Sequence, residues 1–221
     1  MNQINNLSKL NSASFFTKKT LVDIIGGNDD AIAANIKRWI KSGILIQLKK
    51  GLYVTKEYYQ ACPDKQSYYE FVSNFLKKPS YLSGEYVLQK YGILSESVFT
   101  YTSTTQKKTK VYINKLGVFN YSNIKDKLFT GYKIISKSGF DIKEATKAKA
   151  LFDFLYFRLL KAPQINQEII DSFRLNLDNF YPKDFSELNS FIKLLNIKKI
   201  NNLVNYLKGG TNDSGRTKIF N

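Results

Sequence analysis

Between Asn35 and Lys41 the chain sets out side chains suited to holding nucleic acid rather than to making or breaking bonds. Asn35 and Arg38 stand three apart, and Lys37 and Lys41 four apart, so on a helix they form two adjacent rows. An amide can pair bidentately with adenine and a guanidinium with guanine, which makes Asn35 and Arg38, with Lys37 and Lys41 beside them, candidates for base edges. Lys18, Lys19, Lys49 and Lys50 lie to either side in sequence and suit phosphate oxygens, a contact that adds affinity without reading bases.

Bond-making chemistry finds little to work with. The chain has no histidine, hence no imidazole base or ligand, and its one cysteine, Cys62, can neither close an internal disulfide nor join a cysteine cluster around zinc. Four carboxylates, Glu144, Asp153, Glu168 and Asp171, share one region and could in principle hold a metal. Asp153 falls inside an apolar helical pattern, however, where a local pair with Lys149 or Arg158 is the expected use. No catalytic residue, metal or cofactor is expected.

The elements that must carry the cationic side chains are legible from caps. Thr17 can open a helix over Leu21, Val22, Ile24 and Ile25, Gly26 and Gly27 end it, and Asn28 opens the next with Asp29 and Asp30 facing the positive end of its dipole. Ile32, Ile36, Trp39 and Ile40 then recur at helical spacing and predict a buried face, Trp39 being core rather than a stacking platform. Gly43 stops this helix. Two β-prone runs, 44–48 and 52–54, flank Lys49-Lys50-Gly51 as a hairpin tip. Helix, turn, cationic helix and basic hairpin is the order of a winged helix-turn-helix. Ile4, Leu7 and Leu10 predict a further short helix beneath it, and Phe15 and Phe16 are expected to pack under Trp39.

From Asp64 the pattern changes. A helix is expected to residue 76, a second capped by Ser83 to residue 91, then strands at 98–104, 110–114 and 117–124, joined first through Gln106-Lys107-Lys108 and then through Lys115-Leu116-Gly117. Two shorter strands follow at 131–135 and 139–142, a long helix over about 143–160, and helical segments at 168–173, 184–195 and 198–207. The expected fold class is α+β: an N-terminal winged helix-turn-helix (1–62), a C-terminal domain with an antiparallel sheet and packed helices (63–208), and a mobile polar tail (209–221).

Composition agrees. A net charge of +16 favours anionic partners, and 43% hydrophobic content over 221 residues suffices for two modest cores. No apolar run is long enough to span a bilayer and the polar start lacks a signal-peptide core, so a cytoplasmic protein with no membrane partner is expected.

Three stretches, IKRWIKSGILIQLKKGLYV, PSYLSGEYVLQKYGILSESVFTYTSTTQKKTK and KAKALFDFLYFRL, together resemble the AbiEi antitoxins of type IV abortive-infection toxin-antitoxin systems, in that family's order. The resemblance implies a DNA-binding transcriptional autorepressor acting at operator repeats in double-stranded DNA. Its reading helix would be 29–42 and its wing 49–51, with a C-terminal domain that counters a nucleotidyltransferase-like toxin in defence against phage. Two alternatives remain at this point: a solitary winged-helix regulator, and a basic protein-interaction module with no toxin.

Overall fold

The computed structural model describes residues 6–160, 162 and 164–209. Helix α1 (Lys18–Ile25) begins where Thr17 Oγ1 accepts from the Thr20 amide, and helix α2 (Asp29–Lys41) begins where Asn28 Oδ1 accepts from the Ala31 amide at 2.8 Å. Such caps satisfy amides that a helix start leaves without partners. Between the helices Gly26 and Gly27 take φ of 73° and 102°, a region that side chains resist, so the turn depends on glycine there.

Strand β1 (Phe16–Thr17) pairs with β3 (Leu52–Thr55), which pairs with β2 (Leu45–Lys49), all antiparallel. The β2–β3 hairpin serves two cores. Leu45 and Tyr53 point into a first core with Leu7, Leu10, Phe16, Leu21, Ile32, Ile36 and Trp39, while Ile46, Leu48, Leu52 and Val54 point the other way into a larger second core. That split is the two-residue alternation of a strand with both faces covered. Phe15 departs from expectation: its ring lies 4.6 Å from Phe75 and 6.0 Å from Phe71, on the second core, and only Phe16 packs with Trp39. The Trp39 ring is buried as expected, and its Nε1 finds no acceptor among the described residues. Ile4 lies outside the described residues, and Leu7 precedes and Leu10 ends a short 3-10 turn, Ser8–Leu10.

Helix α3 (Lys56–Ala61) leads to α4 (Lys65–Leu76), whose cap is Asp64, as expected. The second unit is a six-stranded sheet in the order β6-β7-β5-β4-β9-β8, formed by β4 (Ser80–Leu82), β5 (Thr100–Thr105), β6 (Lys110–Asn114), β7 (Gly117–Asn123), β8 (Tyr132–Lys137) and β9 (Phe140–Ala145). The pairs β6–β7 and β8–β9 are antiparallel, but the sheet, expected to be antiparallel throughout, is mixed, because β5 pairs with β7 and β4 with β9 in parallel. Gln106-Lys107-Lys108 is therefore a crossover and not a hairpin tip.

Helix α4 covers one face, where the Tyr121 hydroxyl donates to the Ser73 carbonyl. Helix α5 (Glu85–Lys90), which follows β4, reaches back to Glu70 of α4 through Tyr86 and Lys90. Helix α6 (Lys147–Leu159) covers the other face, where Thr104 Oγ1 donates to Asp153 at 3.0 Å. Helix α5 is headed by Gly84, because the Ser83 hydroxyl donates instead to Asp153 at 2.7 Å. Thr146 caps α6, so residues 143–145, expected in that helix, belong to β9. Helices α7 (Gln167–Ser172), α8 (Pro182–Leu195) and α9 (Leu203–Gly209) complete the unit. Gly209 ends α9, and the rest of the expected tail, 210–221, lies outside the described residues.

Candidate nucleic-acid interface

Burying Ile32, Ile36 and Trp39 on one side of α2 leaves Lys37, Arg38 and Lys41 exposed on the other. Arg38 Nη2 donates to Asn35 Oδ1 at 2.8 Å, one turn apart, so the guanidinium and the half-buried amide form one unit on the helix surface. A guanidinium fixed by a neighbouring carbonyl keeps its remaining N–H groups in a planar fork, the shape that a purine edge or a phosphate accepts. Lys37 and Lys41 form the adjacent row.

The flanking lysines fall into three groups. Lys19 on α1 and Lys50 at the hairpin tip are exposed. Lys18 Nζ lies 2.9 Å from Asp29 Oδ2 and ties the starts of the two helices together, an exposed pair worth about 1 kcal/mol at most. Lys49 turns inward: its ammonium donates to the Leu76 carbonyl at 2.7 Å, neutralising the negative end of α4. Partial burial lowers its pKa from the ordinary lysine value, and the neighbouring charges of Lys77 and Lys78 lower it further. The structure thus gathers Asn35, Lys37, Arg38 and Lys41 on one helix surface and leaves Lys50 outward on the hairpin, while Lys49 joins the hairpin to the second unit.

The four carboxylates do not converge. Asp153 lies 2.8 Å from Lys149 Nζ with both side chains fully buried, and Glu144 pairs with Lys90. Asp171 accepts from Gln167 at 2.7 Å, and Glu168 is exposed. Among the described residues no three histidine, cysteine, aspartate or glutamate side chains are placed to hold a metal ion.

Among the described residues a cleft of about 450 Å³ is lined by Gln66, Tyr86, Gln89, Lys90, Val98, Phe99 and Tyr101. At its base Lys90 lies 3.1 Å from Glu70 and also pairs with Glu144, while Tyr86 donates to Glu70 at 2.6 Å. Burial pulls the Lys90 pKa down, but Glu144 and Glu70 outweigh it and raise the value, so the amine stays charged and is no base or nucleophile. Nothing local in sequence marks this triad: its members are separated by 20 and 54 residues and meet only through the fold.

The protein that emerges is a mixed α+β molecule with a cationic helix surface in its N-terminal unit and no helix long and apolar enough to cross a membrane among the described residues. No protein-family model matches the chain, and no curated protein matches it.

Proposed function

We propose that this protein is a duplex-DNA-binding regulator whose N-terminal unit works as a winged helix-turn-helix: α2 enters the major groove and the β2–β3 tip follows the backbone. The observation that carries the reading is the exposed Asn35–Arg38 pair with Lys37 and Lys41, set opposite the buried Ile32, Ile36 and Trp39. On the AbiEi resemblance, the regulator is the autorepressing antitoxin of a cytoplasmic type IV toxin-antitoxin operon, bound at repeats upstream of its own gene and countering a nucleotidyltransferase-like toxin.

Fluorescence anisotropy with the upstream region and with random duplex, at several salt concentrations, tests this. Wild-type protein should prefer the upstream sequence. Arg38→Ala should lose about 1–3 kcal/mol on that sequence and most of the preference. Lys50→Ala should weaken every duplex alike and flatten the salt dependence by about 0.9 in log–log slope. Binding without preference that vanishes at modest salt would leave a basic protein-interaction module as the better reading. Growth rescue on co-expression with the toxin encoded by a neighbouring reading frame tests the antitoxin half.

A further inference from the structure

Three segments distant in sequence meet beside the hairpin tip. Lys49 reaches the Leu76 carbonyl at 2.7 Å, which puts the end of α4 and the Lys77 and Lys78 that follow it against the root of the tip. Asn114 Nδ2 donates to the Leu48 carbonyl at 2.8 Å, which brings the β6–β7 turn and its Lys115 to the same strand. Lys50, Lys78 and Lys115 are exposed and Lys77 is half-buried. Among the described residues none of the four takes part in an ion pair. Lys78 instead holds its ammonium 3.8 Å from the centre of the Phe75 ring. Gathering like charges without carboxylates costs free energy in the isolated protein, and a polyanion laid across them recovers it.

We propose that Lys77, Lys78 and Lys115 of the second unit, together with Lys50, form one phosphate-binding patch that holds the backbone of the bound duplex beyond the stretch read by α2. The proposal rests on the DNA-binding reading above and extends it: the second unit touches DNA directly, and the bonds from Lys49 and Asn114 fix where its contacts fall relative to the reading helix. A duplex too short to reach the patch should bind less tightly, with unchanged base preference.

The test is the salt dependence of affinity for the triple variant Lys77→Gln/Lys78→Gln/Lys115→Gln on a long upstream duplex. A control variant, Lys133→Gln/Lys183→Gln/Lys193→Gln, removes the same charge from other exposed positions of the second unit. Counterion release assigns about 0.9 in slope to each lost phosphate contact, so the patch variant should flatten the log–log slope by roughly 2–3 while keeping the preference for the upstream sequence over random. The control should keep the wild-type slope. Lys115→Gln alone, on an exposed turn, should lose about 0.9 and gives the answer if the triple variant folds poorly. Equal flattening in patch and control variants, or an unchanged slope in the patch variants while Arg38→Ala still loses preference, overturns the patch and leaves the regulator reading standing. Wild-type protein that binds no duplex overturns both.

Discussion

Asp153→Ala is expected to lower the free energy of unfolding by about 3–5 kcal/mol, the cost of leaving a buried charge without its partner. Asp153 Oδ2 accepts from Tyr81 at 3.0 Å, Ser83 at 2.7 Å and Thr104 at 3.0 Å, and Oδ1 lies 2.8 Å from Lys149 Nζ. One carboxylate thus joins α6 to β4, to the residue after it and to β5. Removing it leaves three hydroxyls without that acceptor and the ammonium without its counter-charge, held by the Leu128 carbonyl at 2.7 Å. Asp153→Asn keeps an acceptor for the hydroxyls but not the counter-charge, so its loss should depend on pH. Burial lowers the Lys149 pKa even with Asp153 present, and without that charge it falls further. A lysine whose folded pKa lies below its unfolded value binds fewer protons folded than unfolded, so stability rises with pH from the folded value up to the unfolded one. Urea melts of Asp153→Asn should therefore recover with rising pH relative to wild type. Those of Asp153→Ala should recover by a similar increment and keep a further deficit, because the three hydroxyls have lost their acceptor at every pH. A pH-independent deficit for Asp153→Asn would mean that Lys149 carries no unpaired charge in the variant. Under conditions where either variant is still folded, DNA affinity should match wild type, because none of these groups lies on the proposed DNA-binding surface.

The same residues show what could be read from sequence. The ends of α1 and α2 were legible because Thr17, Gly26, Gly27 and Asn28 act within a few residues of themselves, through bonds such as Asn28 to the Ala31 amide. The Lys149–Asp153 pair was legible for the same reason, being one helical turn apart. Strand β4 left no signal: Ser80, Tyr81 and Leu82 are all buried, so they show no alternation. Its parallel pairing with β9 depends on residues more than fifty positions away. Lys49 looked like a tip residue because nothing local reveals that the carbonyls of Phe75 and Leu76 end a helix beside it. The exposed cationic side of α2 was legible because helical periodicity alone separates Ile32, Ile36 and Trp39 from Lys37, Arg38 and Lys41. The hairpin, expected to belong to the N-terminal unit, is shared by both cores through ordinary strand alternation, and sequence does not say what lies against either face.

Stability should also fall steeply above pH 10, and the cause is tyrosine rather than lysine. Tyr68, Tyr81 and Tyr121 are fully buried, and burial pushes each phenol well above its ordinary value of 10.0. A group whose folded pKa is raised contributes stability that is complete below the unfolded pKa and is lost as pH climbs toward the folded one. Each phenol removes up to about 1.4 kcal/mol per pH unit in that window, so the three together remove about 4 kcal/mol per unit. Lys49 and Lys149 act in the opposite sense, their values being lowered by burial, but only until the unfolded lysine value of 10.5 is passed. The loss should accordingly steepen above that point. Tyrosinate absorbance followed beside circular dichroism checks the sign: signal from the buried phenols should appear together with loss of secondary structure, while the more exposed tyrosines titrate earlier. Tyr81→Phe removes one of the three ionisations and should reduce the slope by up to about 1.4 kcal/mol per pH unit. At neutral pH it should still lose about 1 kcal/mol, because Asp153 gives up one of its donors. If all the tyrosines ionised from pH 10 with the fold intact, solvent would have reached the phenol between α4 and the sheet, and the packing that connects this core to the β2–β3 hairpin would be looser than the burial of Tyr121 and Leu48 requires.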